Sequence, residues 1–146
     1  MAGRTIQSLS DELEIRDLLA RTAHASDAGS VDEYMSSFAP DAILEMSPPA
    51  GTAASAIPPT RGHAALRAGA QARRDAGMTG PGTRARHNVT TTVVSIDGDH
   101  ATASSCVLVA SSQSGTPQLS FAGTYSDEFV RTASGWKISR RVITAN

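Results

Sequence analysis

Four histidines are the first candidates for chemistry in this chain, because imidazole titrates closest to neutral pH among the side chains. His87 opens a strand-like run at Arg84–Val89, where alternate side chains would face the concave side of a sheet. The pattern permits two interpretations: a proton-transfer group that meets an acidic partner, or a half-buried histidine hydrogen-bonded to the backbone. The remaining three, His24, His63 and His100, are expected to be exposed polar residues.

Asp27 is the candidate acidic partner, and it lies at the end of a helical pattern. A carboxylate there gains nothing from the helix dipole, whose negative end is the carboxyl end. At about 100° per residue, the apolar stripe formed by Ile15, Leu19 and Ala23 continues towards Asp27. Two interpretations follow: a solvated aspartate that starts the next turn, or a carboxylate that points into a cavity.

The predicted secondary structure that must position these residues changes along the chain, from helices in the first half to strands in the second. Helical spacing of apolar residues, with Ser8 or Ser10 as the first cap, predicts helices over residues 10–27, 31–38 and 62–76. A short strand at residues 42–46, a proline-rich loop at 47–60 and a flexible glycine-rich segment at 77–83 connect them. The two loops are candidates to gate a pocket.

After residue 83 the apolar period changes from 3.6 to 2. Four strands are predicted near residues 86–96, 101–110, 118–131 and 135–143, joined as a meander by turn-forming residues. Helices first and a curled antiparallel sheet afterwards indicate an α+β domain in which helices cover one face of the sheet.

Strand position suggests which side chains would line a cavity beside Asp27 and His87. Arg140 shares the predicted side of Trp136 and Ile138, so it is either an inward charge or an exposed edge residue. The other lining candidates come from the second helix and the strands: Tyr34, Thr91, Cys106, Leu108, Phe121 and Tyr125.

Composition excludes several classes of partner. The chain has 146 residues, which fits a single domain over residues 1–146, and 40% of them are hydrophobic. With 13 basic and 14 acidic side chains the formal net charge is −1, which gives no broad attraction to nucleic acid or to an anionic membrane. The single Cys106 and the absence of an apolar leader in the first residues predict a cytoplasmic protein.

Cofactor and metal motifs are missing from the sequence. The histidines show no HxH, HxxxH or Cys-His spacing, and there is no GxGxxG, Walker loop or GxSxG. The sequence therefore predicts neither a metal nor a cofactor.

Taken together, the fragments resemble SnoaL-like domains of the NTF2-like superfamily in their order and spacing. The resemblance covers nearly the whole chain, and the matching fragments are Ile15–Arg21, Asp27–Gly29, Asp32–Ala42, Gly62–Leu66, Arg86–Val89, Asp97–Ala101, Gly123–Glu128 and Gly135–Arg141. It implies an NTF2-like cone, a curved antiparallel sheet wrapped around N-terminal helices that encloses a mostly apolar pocket. It also implies a homodimer or homotrimer.

The resemblance further implies a role for two residues. In the scytalone dehydratase and dehydrochlorinase branch, an aspartate at the end of the first helix pairs with a histidine at the start of a strand, and Asp27 and His87 match those positions. The expected function is cofactor-independent acid–base catalysis on a small apolar molecule: elimination or dehydration, isomerisation, or cyclisation. Two alternatives stay open: a non-catalytic ligand-binding or accessory subunit, and a polyketide cyclase that uses Asp27 alone.

Overall fold

A computed structural model describes residues 3–48, 57–112 and 115–146 of the chain. Three helices occur in it: α1 (Ile6–Ala28), α2 (Val31–Met35) and α3 (Gly62–Asp75). The strands are β1 (Phe38–Ser47), β2 (Thr60–Arg61), β3 (Arg86–Asp97), β4 (His100–Ser111), β5 (Gln118–Thr132) and β6 (Gly135–Ala145). They form one curved, unclosed sheet in the order β2-β1-β6-β5-β4-β3. The predicted α+β architecture is confirmed.

Helix α1 begins four residues before the predicted start. Thr5 is its N-cap, because the Thr5 hydroxyl accepts a hydrogen bond from the Ser8 backbone N–H while the Ser8 hydroxyl accepts one from the Thr5 N–H. Ser8 is therefore the third residue of the helix and the partner of the cap, not the cap itself. The buried face of α1 carries Ile15, Leu18, Leu19, Thr22 and Asp27 towards the sheet.

The second helix is shorter than predicted, and the strand that follows is longer. Helix α2 ends at Met35, and β1 starts at Phe38 and passes through Pro40. Strand β1 runs parallel to β6, with Phe38 opposite Ile138, and the Ile138 N–H donates to the Ser37 carbonyl at 2.9 Å. Pairing with a strand one hundred residues away overrides the local helical spacing.

The predicted meander of β3, β4, β5 and β6 is confirmed, with antiparallel pairing at each step. The register shifts once in each of the three strand pairs, between Val109 and Ala110 in the pairing of β4 with β5, and two of the shifts bear on the cavity described below. In β3 the register shifts between Thr90 and Val93, where Thr91 has a φ of 49°. Another shift lies between β5 and β6, where Phe129 faces Ile138 while Glu128 faces Arg140. Each shift transfers the following side chains to the other face of the strand.

The hydrophobic core fills the concave side of the sheet, where α1 lies against it, and its large buried apolar side chains include Ile15, Met35, Phe38, Phe129, Trp136 and Ile138. Of the predicted proline-rich loop, residues 49–56 lie outside the described residues. Among the helices in the described ranges, none combines the length and apolar character needed to cross a bilayer.

The glycine-rich segment that follows α3 is held by hydrogen bonds to its surroundings. The Met78 N–H donates to the Arg73 carbonyl at 2.9 Å, and the Gly80 N–H donates to the Ser26 carbonyl at 2.9 Å. The second bond ties this segment to the end of α1, one residue before Asp27.

Candidate functional site

A cavity of about 220 Å³ lies between α1, α2, α3 and the inner face of the sheet. Its apolar lining comes from Leu19, Ala23, Leu44, Met46, Met78, Val89, Val109, Phe121 and Ile143. Its polar lining comes from Thr22, Ser26, Tyr34, Arg73, Thr79, His87, Tyr125 and Arg141. A mostly apolar cavity with a few convergent polar groups is typical of a small-molecule site.

Asp27 and His87 are in direct contact at the edge of this cavity. The Asp27 Oδ1 lies 2.6 Å from the His87 Nδ1, and the Asp27 Oδ2 accepts a hydrogen bond of 2.9 Å from the His87 backbone N–H. The Asp27 side chain is 6% exposed and that of His87 is 13% exposed. The solvated interpretation of Asp27 is therefore wrong, and so is the interpretation of His87 as a histidine hydrogen-bonded to the backbone.

This contact fixes the chemistry of the imidazole. An ionised carboxylate only accepts hydrogen bonds, so the proton of a neutral His87 lies on Nδ1 and the lone pair lies on Nε2. Within the described residues the His87 Nε2 has no hydrogen-bond partner, and this atom is not fully buried. His87 is one of the residues that line the cavity.

Two features make the end of α1 able to hold a buried carboxylate. The Arg74 guanidinium donates to the carbonyls of Gly29, at 2.7 Å, and of Ala25, at 3.0 Å. These bonds satisfy carbonyls at the negative end of the helix and place a positive charge beside it. The second feature is His87, whose backbone N–H and ring Nδ1 both contact the Asp27 carboxylate. Sequence analysis did not identify Arg74, because its partners lie 45 and 49 residues away in the chain.

Another wall of the cavity contains a buried ion pair. The Arg141 Nε and Nη2 donate to the two carboxylate oxygens of Asp127 at 2.7 and 2.9 Å, and the guanidinium lies 4.1 Å from the centre of the Tyr125 ring. Burial works to lower the pKa of Arg141, but the charge and hydrogen bonds of Asp127 raise it above its ordinary value. Burial raises the pKa of the Tyr125 hydroxyl, which therefore stays protonated at neutral pH.

The structure separates the predicted lining residues into two groups. Tyr34, Phe121 and Tyr125 line the cavity, as predicted. The prediction is wrong for Thr91, Cys106, Leu108 and Arg140, whose side chains do not line it.

For the β4 pair the reason is the face of the strand. Buried and exposed residues alternate along β4, and Cys106 and Leu108 have the parity of the exposed set. Inward positions such as Ala103 and Ser105 are small, so hydrophobicity did not distinguish the two faces. Thr91 is exposed and lies at the register shift of β3.

For Arg140 the reason is the register shift in β6. Ile138 is buried, and regular alternation would place Arg140 on the same side. The shift places Arg141 inward instead, and Arg140 forms ion pairs with Glu45 at 2.7 Å and Glu128 at 2.9 Å. The cavity is therefore lined by Arg141, which the sequence did not single out, and not by its neighbour Arg140.

The remaining histidines do not reach Asp27. His24 and His100 are exposed, as predicted. His63 is half-buried, which corrects the expectation of an exposed residue, because its Nε2 lies 2.9 Å from the Phe38 carbonyl oxygen. In the described ranges, no three histidine, cysteine, aspartate or glutamate side chains come together as a possible metal site.

Comparison with solved structures shows the same fold in several proteins. An NTF2-like protein with a cystatin-like fold from Novosphingobium aromaticivorans is 26% identical, with a TM-score of 0.80 over 96% of this chain and 84% of that one. Rv3472 of Mycobacterium tuberculosis, described as of unknown function, is 24% identical, with a TM-score of 0.81 over 99% of this chain and 76% of that one.

A third similar structure is the β subunit of a putative aromatic-ring-hydroxylating dioxygenase from Novosphingobium aromaticivorans. It is 17% identical, with a TM-score of 0.78 over 97% of this chain and 92% of that one. No curated protein matches the sequence. The family model described as a SnoaL-like domain matches residues 7–142. The chain therefore belongs to the SnoaL-like domain family, with an NTF2-like fold.

Proposed function

We propose that the protein is a cofactor-independent acid–base enzyme that acts on a small apolar molecule bound in the cavity. The observation that carries the proposal is the 2.6 Å contact between Asp27 Oδ1 and His87 Nδ1, which leaves Nε2 of a cavity-lining imidazole as a free base. The reaction class is elimination or dehydration, isomerisation, or cyclisation, because a positioned base that removes a proton serves each of them.

In this proposal His87 Nε2 removes a proton from a carbon or a hydroxyl group of the bound molecule. The imidazolium that forms is stabilised by Asp27, which lies in a largely water-excluded position where the attraction between the two charges is strong. The hydrogen bond from the His87 backbone N–H to Asp27 Oδ2 fixes the start of β3 against the end of α1, so the ring needs little reorganisation during proton transfer. In an elimination, the electron pair of the broken C–H bond forms the new double bond as the leaving group departs, and in an isomerisation or cyclisation it forms an enolate or alkoxide. His87 then gives the proton to the leaving group, the product or solvent.

The tyrosine hydroxyls of Tyr34 and Tyr125 are the candidate proton donors on the substrate side. Both line the cavity, and the raised pKa of Tyr125 keeps its hydroxyl protonated and able to donate. A hydroxyl that donates to a developing oxyanion would stabilise charge formed when His87 takes the proton.

The test is turnover by matched variants on a substrate found by screening hydroxy-ketones, cyclic ketones and halogenated alicyclic compounds. Replacing His87 by Gln or Asp27 by Asn is expected to lower kcat about 10²- to 10⁴-fold, the usual contribution of a positioned acid–base group. His24→Gln is the matched control, because His24 lies on the same helix as Asp27 and is exposed. Its turnover should equal that of the wild-type protein.

Other outcomes of the same experiment select the alternative functions. Full turnover in H87Q with loss in D27N would overturn the paired mechanism and favour a cyclase that uses Asp27 alone. Ligand binding without conversion of any compound would favour a non-catalytic ligand-binding or accessory subunit.

A further inference from the structure

The cavity contains one basic side chain that the proposed mechanism does not use. Three basic residues line it, and two have acidic partners: His87 contacts Asp27, and Arg141 contacts Asp127. The third is Arg73, which is half-buried. Within the described residues, its guanidinium forms neither an ion pair nor a hydrogen bond.

The other two arginines on α3 have partners, so within the described residues the unpaired guanidinium is specific to Arg73. The guanidinium of Arg67 pairs with Asp32, and that of Arg74 binds the carbonyls at the end of α1. Arg73 alone among the three is directed to the cavity, and its charge acts on the buried Tyr125 hydroxyl. No carboxylate is among the residues that line the cavity in the described parts of the chain.

A half-buried guanidinium without a partner is a strong recognition element for an anion. Its planar set of N–H donors matches the two oxygens of a carboxylate, and charge-assisted hydrogen bonds of this kind are stronger than neutral ones. Partial burial increases the attraction, because less water screens the charges. The cavity thus offers one uncompensated positive charge beside a mostly apolar wall.

We infer that Arg73 is a specificity-determining residue and that the natural ligand is an apolar molecule bearing one carboxylate, which the Arg73 guanidinium binds. The inference rests on the proposal that this cavity is the substrate site. Arg73 comes from α3, which packs against β1, whereas His87 comes from β3 at the far edge of the sheet. The carboxylate is therefore held on one side of the cavity while the atom that loses its proton faces His87 on another.

The test compares the binding of 2-naphthoate and 2-naphthamide by isothermal titration calorimetry at neutral pH. The two probes share an apolar body and nearly the same shape, and they differ in one negative charge. The wild-type protein should bind naphthoate about tenfold or more tightly than naphthamide, as expected for a charge-assisted pair. In Arg73→Gln the ratio of the two affinities should fall to about one, while naphthamide binding should change little.

Arg67→Gln is the matched control, because it removes the same charge from the same helix at a residue outside the cavity lining. It should keep the naphthoate preference. Equal affinity for both probes in the wild-type protein, a preference retained in R73Q, a preference lost in R67Q, or no binding of either probe would each overturn the inference.

The two proposals fail separately. If H87Q abolishes turnover but the wild-type protein shows no preference for naphthoate, the assignment of Arg73 is wrong and acid–base catalysis stands. If Arg73 determines the preference but H87Q retains full turnover, the carboxylate site stands and the catalytic proposal is wrong.

Discussion

Asp27 holds His87 at two points that belong to different parts of the residue. One carboxylate oxygen contacts the ring at 2.6 Å and the other accepts from the backbone N–H at 2.9 Å. Rotation of the ring would break the first contact, and displacement of the strand would break the second. A single buried carboxylate therefore sets both the position of β3 against α1 and the orientation of the imidazole.

Sequence reasoning identified this pair because both residues stand at element boundaries, where the carboxyl end of α1 and the start of β3 can meet. It could not decide between burial and exposure, since that depends on contacts formed 60 residues apart. Arg73 gave no signal in the sequence, because three arginines on α3 have similar local surroundings and only their tertiary partners differ.

The Asp127 carboxylate allows the Arg141 guanidinium to be buried beside the cavity, and both side chains are 5% exposed or less. Asp127→Asn would leave a buried cation without its counter-charge, so the free energy of unfolding should fall by about 3–5 kcal/mol. Urea denaturation measures this change. Glu128→Gln is the control: its pair with Arg140 is half-exposed, so the loss should stay below about 1 kcal/mol. Equal losses in the two variants would contradict the description of the Arg141 pair.

Two of the register shifts in the sheet place polar side chains in the cavity. The shift in β3 lets His87 and Val89 face the cavity while Val94 and Ile96, of opposite parity, pack on the core. The shift in β6 directs Arg141 inward. The sequence predicted the strands themselves well, because their joints are rich in turn-forming residues and their apolar period is two. It did not reveal the shifts, which appear only when a strand is aligned with its partner.

The shift in β3 stores strain that a substitution can release. Thr91 has a φ of 49°, a left-handed conformation that is costly for a β-branched residue and tolerated by asparagine. Thr91→Asn should raise the free energy of unfolding by about 1 kcal/mol, measured by urea denaturation. Thr90→Asn is the control, because Thr90 pairs regularly with Cys106 and asparagine is disfavoured in strands. Stabilisation of T90N, or destabilisation of T91N, would contradict the assigned backbone.

In the molecule as a whole, a second cluster of polar side chains, separate from the pair of Asp27 and His87, joins α1 to β5 and β6. The Arg131 guanidinium donates to both carboxylate oxygens of Asp11 at 2.8 Å and lies 4.4 Å from the centre of the Trp136 ring. The Trp136 indole N–H also donates to Asp11, at 3.2 Å. These bonds connect the first third of α1 with β5 and β6.

This cluster predicts that part of the protein's stability is lost at acid pH. The hydrogen bonds from Arg131 lower the pKa of Asp11 from 3.8 to about 2, against the opposing effect of burial. Because the folded pKa is the lower one, the stabilisation is complete above about pH 4 and is lost as the pH falls towards 2. Urea midpoints between pH 2 and 6 should therefore vary less with pH in Asp11→Asn than in the wild-type protein. Asp32→Asn, at an exposed side chain, should retain the wild-type dependence. Identical curves for D11N and the wild-type protein would contradict this assignment.

The SnoaL-like family and the α+β fold followed from the order of fragments along the whole chain, which is why they could be predicted before any contact was known. The strand β1 was only partly predicted, because it is stabilised by parallel pairing with β6 at the opposite end of the chain. The homodimer or homotrimer implied by the family resemblance stays a prediction.

We propose that His87 transfers a proton to and from a molecule bound in the cavity. The most direct measurement is incorporation of solvent deuterium at the reacting carbon of a bound ketone in D₂O, followed by proton NMR. The wild-type protein and H24Q are expected to exchange that proton at the same rate, whereas H87Q should exchange it at least about 10²-fold more slowly. Exchange by H87Q at the wild-type rate would contradict the claim.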